Sequence, residues 1–409
     1  MPDTLRGNLA VGQSGGPTAV INASLVGVLH EASKHSAIEN VYGLRHGVEG
    51  LLKEDLMDLG GASDELLERI KRTPAAALGS CRRKLRPDDY VRILEVFRAQ
   101  NIRYFLYNGG NDSMDTSQRI ADLAEREGYE LRVIGVPKTI DNDLMYTDHC
   151  PGYGSAARFC ALSVRDMGRD VEAMAGYDRV AIYESMGRHA GWLTAASCLG
   201  KESPIDPPHL VYVPEIPFSE DRFLDDVSRT FVKFGFCTVA VAEMLTTADG
   251  DIVGLSEATV NSDSFGHIIV AGCGNYLARQ VRERLGIKAR ANRPGTLQRS
   301  SMVTASTVDR EEAYMVGQAA VREAVGGAGG VMITLERTGD DPYQSTTGTA
   351  PLGAVANAEN LMPRAYMNRD GNMPTEAFHA YARPLIGDPL PPVGRLTYNA
   401  VEQRATAAT

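Results

Sequence analysis

Short apolar runs that end in glycine, lysine or an acidic residue alternate with longer amphipathic stretches along most of the chain. That is the rhythm of a parallel α/β sheet with helices between its strands. The runs that predict strands are Asn8 to Val11, Tyr104 to Tyr107, Arg132 to Val136, Arg179 to Tyr183, Leu210 to Val213, Thr238 to Ala242 and Val331 to Leu335. A helix is expected from about Ala19, after the turn Gln13-Ser14-Gly15-Gly16. Open α/β sheets gather their chemistry at the carboxyl ends of strands, so the residues just beyond these runs are the candidates. Gly326 to Gly330 reads as a flexible connection, and Pro389 to Pro392 with the Ala/Thr-rich end as a peripheral tail.

Composition sets the outer bounds. With 409 residues, 43% hydrophobic and 23% charged, the chain buries a substantial core and is expected to divide into two domains. A formal net charge of -10 argues against a nucleic-acid or anionic-membrane binder, so any phosphate must be met by local arginines and lysines. Cys81, Cys150, Cys160, Cys198, Cys237 and Cys273 are widely spaced without a Cys-x-x-Cys pair, which suggests free thiols in a cytoplasmic protein. Neither a signal-peptide pattern at the start nor an apolar run long enough to cross a bilayer is apparent.

Five segments carry candidate chemistry. Gly12-Gln13-Ser14-Gly15-Gly16-Pro17 joins a strand to a helix, where exposed backbone N–H groups can cradle a phosphate; a purely structural turn explains it equally well. Asn108-Gly109-Gly110-Asn111-Asp112-Ser113 lets a phosphate chain approach the backbone, or simply caps the next helix. Lys138-Thr139-Ile140-Asp141-Asn142-Asp143 sets a cation, a hydroxyl and two carboxylates at a strand end, or is simply an Asn-Asp turn with a solvated lysine. Phosphoryl transfer to a sugar hydroxyl needs such a carboxylate to accept the proton and positive charge to offset phosphate oxygens. Met186-Gly187-Arg188 and Arg290 with Thr296-Leu297-Gln298-Arg299 add guanidinium groups, which grip phosphate through a rigid fork of donors.

Together these motifs, in this order over roughly residues 8 to 365, resemble the phosphofructokinase family. The resemblance implies two similar three-layer parallel-sheet domains with the active site in the cleft. The donor side would comprise 1–152 with about 298–350, and the acceptor side 153–297 with about 351–409. It implies that Asp141 takes the proton from the 1-hydroxyl of fructose 6-phosphate, with Lys138, Thr139 and Arg188 beside it. Gly16, Arg82, Gly110, Asp112 and Ser113 would bind the donor. Thr139, Ile140, Asp141, Asp143, Met186, Gly187, Arg188, Glu243 and Thr296 to Arg299 would bind the sugar phosphate. Arg179 and Arg290 would be lent across a subunit interface, in a homo-oligomer that is a dimer or a tetramer. ATP-using members usually carry glycine where this chain has Asp112 and Lys138. Both substitutions therefore resemble the pyrophosphate-dependent branch, since Asp112 would repel an α-phosphate and Lys138 would balance pyrophosphate. Mg2+ is the implied cofactor, and Asn111, helped by Asp112, stands where many members have an aspartate ligand. The resemblance implies a reversible step usable in glycolysis or gluconeogenesis. The alternatives are an ATP-dependent enzyme and a catalytically inactive regulatory subunit, and sedoheptulose 7-phosphate is a plausible side substrate.

Overall fold

The computed structural model describes residues 5–255, 261–262, 268–269, 272–356, 358–397, 399 and 401. Its thirteen strands, among the described residues, are β1 (Gly7–Gln13), β2 (Ile38–Leu44), β3 (Leu56–Asp58), β4 (Ile102–Gly109), β5 (Arg132–Pro137), β6 (Val180–Ser185), β7 (Leu210–Tyr212), β8 (Cys237–Ala242), β9 (Asn261–Ser262), β10 (Ile268–Ile269), β11 (Ala289–Asn292), β12 (Val331–Asp340) and β13 (Tyr343–Pro351). Seven form one sheet in the order β13-β12-β5-β4-β1-β2-β3, and four form a second in the order β11-β6-β8-β7. The second sheet is parallel throughout. The first is parallel in its middle, with antiparallel strands β3 and β13 at its two edges.

Both faces of each sheet are covered, which explains why the central strands are continuously apolar rather than alternating with polar residues. Leu9, Val11, Tyr104, Leu106, Ile134 and Val136 face the helices Ile21–Ala32 and Thr307–Val325. Ala10, Phe105, Tyr107 and Val133 point the other way, against Pro87–Ala99 and Asn111–Arg126. The second sheet is sandwiched likewise, with Tyr153–Ala173 on one face and Glu220–Phe234 and Cys273–Leu285 on the other. Each fully buried large side chain stabilises the fold by about 1.5–3 kcal/mol.

Helices Ile21–Ala32 and Thr307–Val325 touch backbone to backbone. A Cβ on Gly27 would lie 2.1 Å from the Tyr314 carbonyl oxygen, and one on Gly317 would lie 2.1 Å from that of Ser24. Buried His149 joins the loop after β5 to the second of these helices, with Nδ1 2.8 Å from Asp148 and Nε2 2.7 Å from Glu312. Burial alone would depress its pKa, but the Glu312 and Asp148 carboxylates outweigh that and raise it to about 9.

The expected tail is a correction in part. Pro389 to Pro392 is coil, but the stretch is tied down: Arg158 donates to the carbonyls of Ile386 and Asp388, Arg165 to that of Pro391 at 2.6 Å, and Arg169 to that of Gly394. The Ala/Thr-rich end from 402 onward lies outside the described residues.

Candidate active site

The first half of the site is a bare glycine loop surrounded by cations. Beyond β1, Gly15 takes a left-handed φ of +73° that favours glycine. Its N–H donates to the Cys81 carbonyl at 3.1 Å and its carbonyl accepts the Ser80 hydroxyl at 2.6 Å, which ties in the segment reaching Arg82. Lys138 leaves the end of β5 and donates from Nζ to the Gly16 carbonyl at 2.9 Å. A Cβ on Gly16 would stand 2.7 Å from Arg299 Nη1, and one on Gly15 would stand 3.2 Å from Lys138 Nζ. Lys138 is 3% exposed. Burial, then the charges of Arg299 and Arg82, bring its pKa down to about 7 despite the opposing pull of Asp141. Burial and Arg82 also lower that of Arg299, whose Nε is buried without a hydrogen-bond partner. Such a surplus of positive charge is relieved by an anion.

Beside this loop, β4 ends in Gly109, where a Cβ would lie 2.0 Å from Ser113 Oγ. Gly110 caps the helix Asn111–Arg126, placing Asn111, Asp112 and buried Ser113 in its first turn. Asn111 donates weakly to Asp143 Oδ2 at 3.4 Å, while its Oδ1 is buried with no hydrogen-bond partner. No group of three or more His, Cys, Asp or Glu side chains able to hold a metal exists among the described residues. The orphaned Asn111 oxygen next to Asp112 nevertheless fits a hard cation that keeps waters and shares phosphate oxygens with a substrate.

The second half is rich in carboxylates. Thr139 Oγ1 accepts the Asp141 N–H at 3.1 Å. Between the two carboxylates, Asn142 donates to the Tyr381 hydroxyl at 2.8 Å and accepts the Cys150 N–H at 2.9 Å, so it pins the loop in place. From the second sheet, Arg188 reaches across with Nε 3.5 Å from Asp141 and Nη2 3.6 Å from Asp143. Burial and then the Asp141 charge push Asp143 up to about 7. Gly187 has φ +137° and a Cβ there would lie 2.6 Å from the Ala190 carbonyl, which makes the turn that delivers Arg188 dependent on glycine. The Arg188 N–H donates to Glu243 at 3.3 Å. Burial, then Asp141, raise Glu243 to about 7.

The remaining expected residues divide. Ile140 packs in the core of the second sheet. Thr296 and Leu297 are exposed at the start of the segment. Gln298 is buried, accepting the Met186 N–H at 3.2 Å, with its Nε2 unpartnered. Arg299 was expected at the sugar phosphate but faces Gly16, between the two halves. Arg179 and Arg290 do not reach this site within the chain. Arg179 immediately precedes β6, about 20 Å of strand from its carboxyl end, and Arg290 sits in β11 opposite Ala181, with its Nη1 3.3 Å from Asp178. Sequence reasoning missed Arg293, whose Nε lies 3.2 Å from Glu184 and whose Nη2 lies 3.6 Å from Glu243. A carboxylate inside the apolar run of β6 was the available signal.

Two facing sheets whose carboxyl ends set a cation-lined glycine loop against paired carboxylates define a phosphotransferase site, and the chain belongs to the phosphofructokinase family, whose pattern matches residues 8–324. Among its relatives, the pyrophosphate--fructose 6-phosphate 1-phosphotransferase of Xanthomonas campestris pv. campestris is 44% identical over 391 residues, covering 94% of this chain and 93% of that one. The structure of the pyrophosphate-dependent phosphofructokinase from Nitrosospira multiformis superposes with a TM-score of 0.86 at 41% identity, covering 95% and 94% of the two chains. That of the enzyme of the same name from Marinobacter aquaeolei gives 0.84 at 39% identity, covering 98% of each. Enzymes of this family generally work with a divalent metal. No helix among the described residues is long and apolar enough to cross a membrane.

Proposed function

We propose that the chain transfers a phosphoryl group reversibly from inorganic pyrophosphate to the 1-hydroxyl of fructose 6-phosphate, giving fructose 1,6-bisphosphate and phosphate. The observation that carries the donor half of this reading is Lys138: its buried ammonium is bonded to Gly16 and crowded by Arg299 and Arg82. It sits where a short, highly charged donor needs balance. Asp112 in the neighbouring helix turn opposes a further phosphate beyond the second, which disfavours a nucleoside triphosphate.

In this reading Asp141 accepts the hydroxyl proton, oriented by Arg188, and Asp143 fixes Arg188 from its other side. Thr139 holds the Asp141 main chain, and Glu243 receives the sugar hydroxyls. Gly16, Gly110, Ser113 and Arg82 cradle the donor, while Arg299 stands where it can touch the group in transit. Mg2+, held by Asn111 with Asp112 beside it, offsets charge on the pyrophosphate oxygens when bound. The seven-stranded sheet, from 1–152 with about 298–350, forms the donor side, and 153–297 with residues from about 351 the acceptor side. Arg179 and Arg290, remote from their own cleft, suit a homo-oligomer in which each subunit completes a neighbour's site. Six cysteines, all buried and unpaired, accord with the cytoplasm.

The test is the initial rate with fructose 6-phosphate and Mg2+, supplying pyrophosphate and ATP in parallel. Turnover with pyrophosphate is expected. Turnover with ATP alone would overturn the donor assignment, and silence with both would favour a regulatory subunit.

A further inference from the structure

We infer that Arg293 is a positioning residue for the acceptor sugar: it pairs with the Glu243 carboxylate and ties it to the segment that carries Thr296 to Arg299. This rests on the reading of Glu243 as the carboxylate that receives the sugar hydroxyls.

Arg293 follows β11 and precedes the short helix Leu297–Ser300, on the connection that brings Arg299 to the glycine loop. Its guanidinium spans two buried carboxylates, Nε to Glu184 at 3.2 Å and Nη2 to Glu243 at 3.6 Å. Glu184 is anchored independently, accepting the N–H groups of Gly272 at 3.4 Å and Gly274 at 2.8 Å. Arg293 is therefore held from one side by a fixed carboxylate and presents its other nitrogen to Glu243. The groups around Glu243 among the described residues are the Arg188 N–H from the loop after β6, Asp141 from the loop after β5, Glu184 from β6 itself, and Arg293. Two of these four are carboxylates that repel it. Arg293 is the only guanidinium that pairs with the Glu243 side chain among the described residues; Arg188 meets it through the backbone. Without that cation, burial and Asp141 favour the protonated acid, which is a poorer acceptor for sugar hydroxyls.

The inference is tested with Arg293→Met, Arg293→Lys and Glu243→Gln, following kcat/KM for fructose 6-phosphate between pH 6.5 and 9 alongside KM for pyrophosphate. Arg293→Met should raise KM for fructose 6-phosphate about tenfold at pH 7, leave KM for pyrophosphate within about twofold, and move the acid limb of kcat/KM upward by about one pH unit. Arg293→Lys, which keeps the charge and spares the fold if the methionine variant does not, should return the limb toward its original place. A KM rise of equal size at every pH, or a lysine variant that differs from wild type as much as methionine does, would overturn the role. If Glu243→Gln leaves KM for fructose 6-phosphate unchanged in an enzyme that turns over, Glu243 does not receive the sugar, and the proposal for Arg293 falls with it.

Discussion

The two halves of the cleft are charged in opposite senses. Around the glycine loop, burial and then the charges of Arg299 and Arg82 bring Lys138 down to about 7. Across from it, burial and then the charge of Asp141 raise Asp143 and Glu243 to about 7. Arg188 pairs with two of those carboxylates, while Arg299 stands between the halves against Gly16. Charges that are costly to bury alone are held close together here, which suits the proposed binding of a charged substrate. On the proposed reading the donor half would receive phosphate oxygens and the acceptor half hydroxyls and a proton.

The sharpest way to break this contrast is at Asp141. Asp141→Ala should lower kcat by about 10²–10⁴ while the fold and KM for pyrophosphate hold, as expected for loss of a general base; steady-state kinetics with thermal unfolding as a control would check it. On the donor side, Lys138→Met should reduce kcat/KM for pyrophosphate by about ten- to a hundredfold, the loss of a charge-assisted contact. Asp112→Gly with Lys138→Gly should in addition raise the rate with ATP, and no gain there would show that these positions do not gate the donor. A smaller effect concerns pH. Lys138 is charged below about pH 7 and increasingly neutral above it, so KM for pyrophosphate should climb as pH rises from 7, by at most about tenfold per unit. Lys138→Arg should flatten that climb, because a guanidinium stays charged. The least effect on chemistry is expected at His149, outside both halves. Its pKa is raised above the unfolded value of 6.5 to about 9, so its stabilisation is complete below pH 6.5 and is lost as pH rises through 9. His149→Gln should lower stability by about 1–3 kcal/mol at pH 6.5 and by much less at pH 9.5, read as unfolding midpoints in denaturant.

The parts of this fold that were legible in the sequence are those buried on both faces. β1, β4, β5, β6, β8, the first half of β12 and the short edge strand β7 are near-continuous apolar runs, and each was expected within a few residues of its place. β2, β3, β11 and β13 went unread because edge and near-edge strands owe their structure to a neighbour's hydrogen bonds; Tyr343–Pro351 is almost wholly polar and exists as a strand only by pairing with β12. The site divides in the same way. Loops such as Gly109 to Ser113 and Lys138 to Asp143 are local and announce their chemistry. That Arg299 rests against Gly16, and that Arg293 holds Glu243, depends on how distant segments are folded together, and no spacing encodes it. Arg179 carried the right chemistry for phosphate, but it precedes β6 and so lies at the wrong end of a parallel strand for its own cleft, while Arg290 is turned toward Asp170 and Asp178.

The contact between Gly27 and Gly317 bears on how this enzyme can change over generations. One of those helices begins just after the glycine loop, and the other just after the segment that delivers Arg299. Their backbones are in contact with no room for a methyl group, so they act as a spacer of fixed thickness between two walls of the active site. A Gly27→Ala or Gly317→Ala change would touch no substrate, yet it would push the arginine away from the loop it serves. Mutational tolerance in this molecule should therefore fail at these two sites, deep beneath the cleft, as readily as at the groups that meet the reactants.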